Sequence, residues 1–232
     1  MLCIVYQLGL ITYSDAYHLQ RQLLCQRVNN EIADTLLLLE HPPTITIGKS
    51  GKLENVLASQ AQLAKAGVSL FFVDRGGDVT YHGPGQLVAY PIIDLRQRRR
   101  DCHQYLRDLE EVIIRTLNDF SITASRDSSH AGVWVGDKEI AAIGLRVSKW
   151  VSMHGFALNV NIDLEQFSLI NPCGFSDRKA ASISSLLSQD VSVEAVTEKL
   201  LARFSEVFNA QMKPGSDILT GADNERKTAV LV

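Results

Sequence analysis

The stretch Val133-Trp134-Val135-Gly136-Asp137-Lys138-Glu139-Ile140-Ala141-Ala142-Ile143-Gly144-Leu145-Arg146-Val147-Ser148-Lys149-Trp150-Val151-Ser152-Met153-His154-Gly155-Phe156-Ala157-Leu158-Asn159-Val160 decides the fold class. Residues 133–135, the Gly136-Asp137 pair and the apolar run that follows read as a hairpin. Further strands are predicted near 140–148 and 154–160, with no helix between them. Strand following strand does not fit a chain of β-α-β units. The class implied is α+β, a mixed β-sheet packed by helices, and not a doubly wound sheet.

Outward from this stretch, strands and helices mix without regular alternation. Residues 2–8 read as a strand. Ser14 is placed to cap a helix carrying Ala16, Leu19, Leu23, Leu24 and Val28 on one face. Residues 35–40 and 44–47 are apolar or β-branched runs around His41-Pro42-Pro43, a strand–turn–strand signal. A helix near 59–66 ends at Gly67, and residues 68–73 follow as a strand. Residues 87–94 read as a buried strand. Asp101 caps an amphipathic helix running to about Phe120, with Leu106, Leu109, Val112, Ile113 and Leu117 inward. A short helix near 163–170 precedes Pro172-Cys173-Gly174, and the last helix spans about 193–208. Residues 1–212 form the expected domain. Residues 213–232 are polar and read as a flexible tail.

The chain has 232 residues, 46% of them hydrophobic, with 21% charged residues and a formal net charge of −3. That content fills one core, and the charge gives no electrostatic reason to expect nucleic acid. Cys3, Cys25, Cys102 and Cys173 are far apart and form no C-x-x-C pair, so they are expected as reduced thiols of a cytoplasmic protein. The apolar start lacks a basic n-region and a cleavage site. No apolar run reaches the roughly 20 residues that span a bilayer, so a soluble chain is expected.

Three segments carry candidate chemistry. Arg75-Gly76-Gly77-Asp78-Val79-Thr80-Tyr81-His82-Gly83-Pro84-Gly85-Gln86 allows close backbone approach to a ligand, although an ordinary turn-rich loop is the competing reading. It matches neither a dinucleotide fingerprint nor a P-loop. Cys173, between Pro172 and Gly174, is a candidate nucleophile, whereas the other three thiols read as small buried hydrophobes. Residues 153–159 alternate small and large side chains, as a strand lining an acyl-sized slot would. A core strand with a satisfied His154 is equally compatible. The histidines lack ligand spacing, so no metal site is expected. Arg96, Arg98, Arg99 and Arg100 read as a solvated loop or as a dock for an acidic partner.

Together, R-G-G-D-V-T-Y-H-G-P-G-Q at 75–86, I-A-A-I-G-L-R at 140–146, H-G-F-A-L-N-V at 154–160 and N-P-C-G at 171–174 resemble the lipoyl(octanoyl) transferase family. The resemblance implies a fold similar to the biotin- and lipoate-protein ligases. It implies transfer of octanoyl from octanoyl-acyl carrier protein to a lysine of a lipoyl domain, through a cysteine thioester and without a cofactor. The acceptors implied are the lipoyl domains of 2-oxoacid dehydrogenase complexes and the glycine cleavage H protein. Cys173 takes the nucleophile's place. Arg75, Gly76, Gly77, Asp78, Val79, Thr80, Tyr81 and His82 map onto substrate-contacting segments. So do Ala142, Ile143, Gly144, Gly155, Phe156 and Ala157. Backbone N–H groups around Gly76, Gly77 and Gly144 are candidates for holding the carbonyl oxygen.

One position departs from the family. A lysine that lowers the thiol pKa normally precedes I-A-x-x-G, but Glu139 stands there and the lysine is Lys138. Adjacent strand residues face opposite ways, so Lys138 reaches the sulfur only through a bulge. Otherwise His82 or His154 assists, or the chain is a catalytically weak acyl-binding homologue. An ATP-dependent lipoate or biotin protein ligase is the alternative enzyme on the same fold.

Overall fold

In the computed structural model, residues 1–127, 130–171, 179–216 and 218 are described. Strand β1 (Leu2–Leu10) leads into helix α1 (Tyr13–Val28), then β2 (Asp34–Glu40) and β3 (Thr44–Ile47). Helix α2 (Gln60–Lys65), β4 (Ser69–Phe72), β5 (Val79–His82) and β6 (Gln86–Ile92) precede the long helix α3 (Cys102–Asn118). Strands β7 (Ser125–Arg126), β8 (Gly132–Val135), β9 (Lys138–Ser148) and β10 (Val151–Asn159) follow. The chain continues through β11 (Lys179–Ala180), α4 (Ile183–Leu187), α5 (Val193–Phe208) and β12 (Gln211–Pro214).

The main sheet runs β12-β1-β2-β6-β10-β9-β8-β7, with β11 attached to β9, and β4-β3-β5 form a second, smaller sheet. Parallel pairs (β1 with β12 and with β2) coexist with antiparallel ones (β2–β6, β6–β10, β10–β9), so the sheet is mixed as expected.

The four-leucine run of β2 explains how the layers stack. Successive strand side chains point to opposite faces. Leu36 and Leu38 pack with Leu109, Val112 and Ile113 of α3 and Leu200, Phe204 and Phe208 of α5. Leu37 and Leu39 pack with Leu19 and Leu23 of α1. Both faces of the central strands are therefore covered, and an all-apolar run is required instead of an alternating one.

Five local expectations change. Lys213 and Pro214, expected in the tail, end β12 in register with Ile4 and Val5. Of the thiols expected to be buried, Cys3 is, but Cys25 and Cys102 are exposed. Helix α1 begins one residue before Ser14, because Thr12 is its cap and accepts from the Asp15 N–H at 3.2 Å. Residues 34–40 and 44–47 do not pair with each other; His41-Pro42-Pro43 carries the chain from the main sheet to the small one. Strand β10 begins at Val151, not near 154, because Lys149 and Trp150, both at positive φ, make a two-residue hairpin turn with β9. That turn lacks the usual Asn-Gly signal, which hides it in the sequence.

The basic stretch is largely consumed by the fold. Asp94 holds Arg96 at 2.8 Å and Arg27 at 3.2 Å. Arg98 donates to the Phe208 carbonyl at 3.1 Å and lies over its ring. Arg99 and Arg100 stay exposed. No helix among the described residues is long and apolar enough to cross a membrane.

Candidate active site

The small sheet presents a polar face to a cavity because of strand alternation. Strand β5 pairs with β3 in the register Thr44–His82, Ile45–Tyr81, Thr46–Thr80 and Ile47–Val79. Ile45, Ile47, Val79 and Tyr81 share an apolar cluster, leaving Thr44, Thr46, Thr80 and His82 on the opposite face. The cavity, about 340 Å³, lies between that face and strands β9 and β10. It falls at the small end of the roughly 300–1,000 Å³ usual for small-molecule sites.

Arg75, Gly76, Gly77, Asp78, Val79, Thr80 and His82 all line it, as do Ala142, Ile143, Gly144, Gly155, Phe156 and Ala157. Tyr81 does not; its ring packs edge-on against Phe167. Val88, Ile143 and Phe156 supply apolar wall.

Two glycines let the strands come this close. A Cβ at Gly155 would sit 2.0 Å from the Ala89 carbonyl oxygen, and one at Gly144 would sit 2.8 Å from Arg75 Cδ. Gly76 is not an available oxygen-holding donor, since its N–H is taken by the Leu145 carbonyl at 2.8 Å.

Arg75 is buried and its guanidinium is fixed by Thr46, with Nη2 donating to the carbonyl at 2.8 Å and to Oγ1 at 2.9 Å. His82 makes a 2.8 Å contact from Nδ1 to Gln86 Oε1 and a longer one, 3.4 Å, from Nε2 to Thr46 Oγ1. Burial, reinforced by nearby His41, pushes its pKa down to about 3, so the ring is neutral at working pH. His41 is also buried, between the Ile11 carbonyl and the Tyr90 hydroxyl, and is lowered to about 4 by burial. The Tyr13 hydroxyl, in the same wall, has no hydrogen-bond partner among the described residues.

His154 is wired differently. It sits at φ 59, a left-handed conformation that costs a non-glycine residue roughly 1–3 kcal/mol. The twist falls where the β6–β10 ladder is interrupted, between the paired Phe156–Ala89 and the Val151–Asp94 bridge. There the His154 N–H donates to Gln20 Oε1 at 2.9 Å. Its Nε2 meets Asp74 Oδ1 at 2.7 Å, and Asp74 also accepts from Arg146 and, at 3.3 Å, from the Tyr17 hydroxyl. Burial opposes ionisation of Asp74, but these donors overcome it and hold its carboxyl below the usual range. Burial lowers the His154 pKa; Asp74 partly offsets this, while Arg75 and Arg146 add to it. An ionised Asp74 only accepts, so Nε2 carries the proton and Nδ1 is left basic.

The lipoyl protein ligase A/B catalytic domain matches residues 12–205. An octanoyltransferase of Solibacter usitatus is 48% identical over 216 residues, covering 93% of this chain and 97% of that protein. The chain belongs to the octanoyltransferase family. As an octanoyltransferase-family protein it is an acyltransferase. Its fold is shared with an archaeal bipartite lipoate protein ligase from Thermoplasma acidophilum, at TM-score 0.72 and 18% identity over 98% of this chain and 91% of that one. It is also shared with the biotin protein ligase of Aquifex aeolicus, at TM-score 0.52 and 15% identity over 90% and 69%.

Position 139, where the resemblance places a lysine, has a definite structure. Val135 pairs with Lys138 and Trp134 with Glu139, but Val133 pairs with Ala141, so Ile140 is the extra residue of a bulge. Ile140 and Ala141 both enter the core, and Glu139 lines the cavity. The bulge therefore turns Glu139 to the site; Lys138, proposed from sequence as an activator, is exposed and does not line the cavity. Cys173 lies outside the described residues. The described residues nearest to it, Asn171 and Lys179, are anchored, with the Asn171 N–H on the Asn55 carbonyl at 2.7 Å and Lys179 paired with Lys138. No group of three or more His, Cys, Asp or Glu suited to a metal occurs among the described residues.

Sequence reasoning missed Asp74, Thr46, Tyr13 and His41. Asp74 adjoins the Arg75 motif, which was its available signal. Thr46 lies in β3, Tyr13 starts α1 and His41 lies in the β2–β3 connection, none within a motif of its own.

Proposed function

We propose that this chain transfers an octanoyl group from octanoyl-acyl carrier protein to a lysine of a lipoyl domain, through a thioester on Cys173. The observation that supports it is the convergence of residues 75–80 and 82, 139 and 142–144, and 154–157, far apart in sequence, on one apolar-walled cavity. Burying the six methylenes of an octanoyl chain there is worth about 5 kcal/mol.

In the first step the Cys173 thiolate attacks the donor's thioester carbonyl, and the carrier's thiolate leaves. One thioester replaces another, so ATP is not consumed. In the second, a lysine amine attacks the enzyme thioester, an amide forms and the Cys173 thiolate departs. His154, with Nδ1 basic, takes the amine's proton, and Asp74 stabilises the imidazolium that results. His82, held neutral far below its ordinary pKa, is a poor proton acceptor for this step.

The acceptors in this reading are lipoyl domains of 2-oxoacid dehydrogenase complexes and the glycine cleavage H protein, in the cytoplasm. The archaeal ligase of the same fold was studied with an E2 lipoyl domain, which fits that acceptor class. Arg99 and Arg100 are the part of the basic stretch left to meet an acidic carrier protein.

Intact-mass measurement after exposure to octanoyl-acyl carrier protein without ATP tests the reading. A single octanoyl adduct, absent in Cys173→Ser and discharged by a lipoyl domain, is expected. Transfer only with ATP would make the chain a ligase, and tight binding without an adduct would make it an acyl-binding protein.

A further inference from the structure

A buried line of hydrogen bonds runs from the backbone after β11 to the cavity wall, and its direction can be deduced. Asn159 Nδ2 donates to the Ala181 carbonyl at 3.0 Å. A carbonyl only accepts, which fixes the Asn159 amide and turns Oδ1 toward Gln86. Gln86 Nε2 donates to that Oδ1 at 2.9 Å and to the Tyr81 carbonyl at 3.2 Å, so its orientation is fixed twice over. Its Oε1 is then left facing His82 Nδ1 at 2.8 Å. An amide oxygen has lone pairs only, so His82 must carry its proton on Nδ1. Its Nε2 is an acceptor.

The line continues at Thr46. Thr46 Oγ1 accepts from Arg75 Nη2 at 2.9 Å and Nε at 3.3 Å, which leaves its own O–H to donate to His82 Nε2 at 3.4 Å. Asn159, Gln86, His82 and Thr46 are all buried, so water does not compete for these bonds.

We infer that Gln86 and Asn159 are positioning residues, which set His82 as a hydrogen-bond acceptor on the cavity wall and, through Thr46, fix the direction of the Arg75 guanidinium. Neither side chain lines the cavity. Both act through His82 and Thr46. The kinetic consequence rests on the acyl-transfer reading above; the tautomer does not.

The test is long-range proton–nitrogen correlation on the full chain with nitrogen-15 histidine. In the wild type, His82 should show a protonated Nδ1 and an unprotonated Nε2 near neutral pH. Gln86→Leu, similar in volume, should shift His82 towards the Nε2–H form and lower kcat/KM for octanoyl transfer about ten-fold, the size of one buried neutral hydrogen bond. A wild-type His82 protonated on Nε2 overturns the inference even if no variant folds. So does a folded Gln86→Leu protein with an unchanged His82 spectrum. A wild type that shows Nδ1–H but no octanoyl transfer supports the relay and removes the function instead.

Discussion

His82 and His154 meet the same cavity from different sheets, one on β5 and the other on β10. His82 lies in a regular strand, bonded to a neutral amide and a hydroxyl, with the Arg75 cation beyond Thr46 and its own proton on Nδ1. His154 lies in a left-handed twist, bonded through Nε2 to a carboxylate, with Nδ1 basic. The tautomers are opposite and so are the electrostatic settings. A histidine's capacity to move a proton is decided by the partner of its other nitrogen. The Gln86 oxygen on Nδ1, with no carboxylate to support a charge, makes His82 an acceptor, whereas Asp74 equips His154 to become charged.

The sharpest way to break this contrast is Asp74→Asn. An amide can turn its NH2 towards Nε2 and reverse the His154 tautomer. Release of octanoyl from preloaded enzyme to a lipoyl domain should slow by about 10²–10⁴-fold, the range of general base catalysis. Single-turnover rates within three-fold of wild type would remove His154 from the proton path.

The neutral histidines should show themselves in stability. Unfolded histidine titrates near its ordinary value of 6.5, while His82 and His41 are held to about 3 and about 4. As pH falls below 6.5 the unfolded chain binds protons that these two rings refuse. Stability therefore decreases towards pH 4, by about 1.4 kcal/mol per pH unit for each ring once its window is reached. Denaturant titrations across pH 4–7 should show that slope, and His41→Gln should remove one ring's share. An unchanged slope would mean that His41 is not held neutral.

His82→Gln sharpens the comparison from the other side. With an acceptor kept on the wall and no proton transfer lost, kcat/KM should stay within about ten-fold of wild type, the size of one buried hydrogen bond. A loss as large as that of Asp74→Asn would make the two histidines functional equals.

The smallest effect is expected at the bulge. A carboxylate facing the site disfavours a nearby thiolate and a cation favours it. Glu139→Lys should speed acyl-enzyme formation about three-fold near neutral pH, measured by rapid-quench mass spectrometry. An unaltered rate would show that Glu139 has no hold on the thiol.

Much of the scaffold was legible in the sequence because period and capping are local. Helix α5 was predicted with the limits observed, and Asp101 caps α3 as expected, accepting from the N–H groups of His103 and Gln104. The motif segments at 75–82 and 142–157 carried their own signal in glycines and alternating side-chain size. The Lys149-Trp150 turn was hidden because its two residues give no sign of positive φ, and Asp74 because a lone aspartate beside a strand has no periodic signature.

The amino-acid order alone determined the class of fold, the α+β mixture, the family and most of the segments that line the cavity, since these follow from patterns along the chain. Only the tertiary structure decided which side chains meet. The Ile140 bulge chose Glu139 over Lys138, Asp74 from before β5 met His154 of β10, and Asn159 and the Ala181 carbonyl, distant in sequence, set the amide of Gln86 that faces His82. Each depends on a partner supplied by another part of the chain, and hydrogen-bond direction is a property of pairs, which no single stretch of sequence contains.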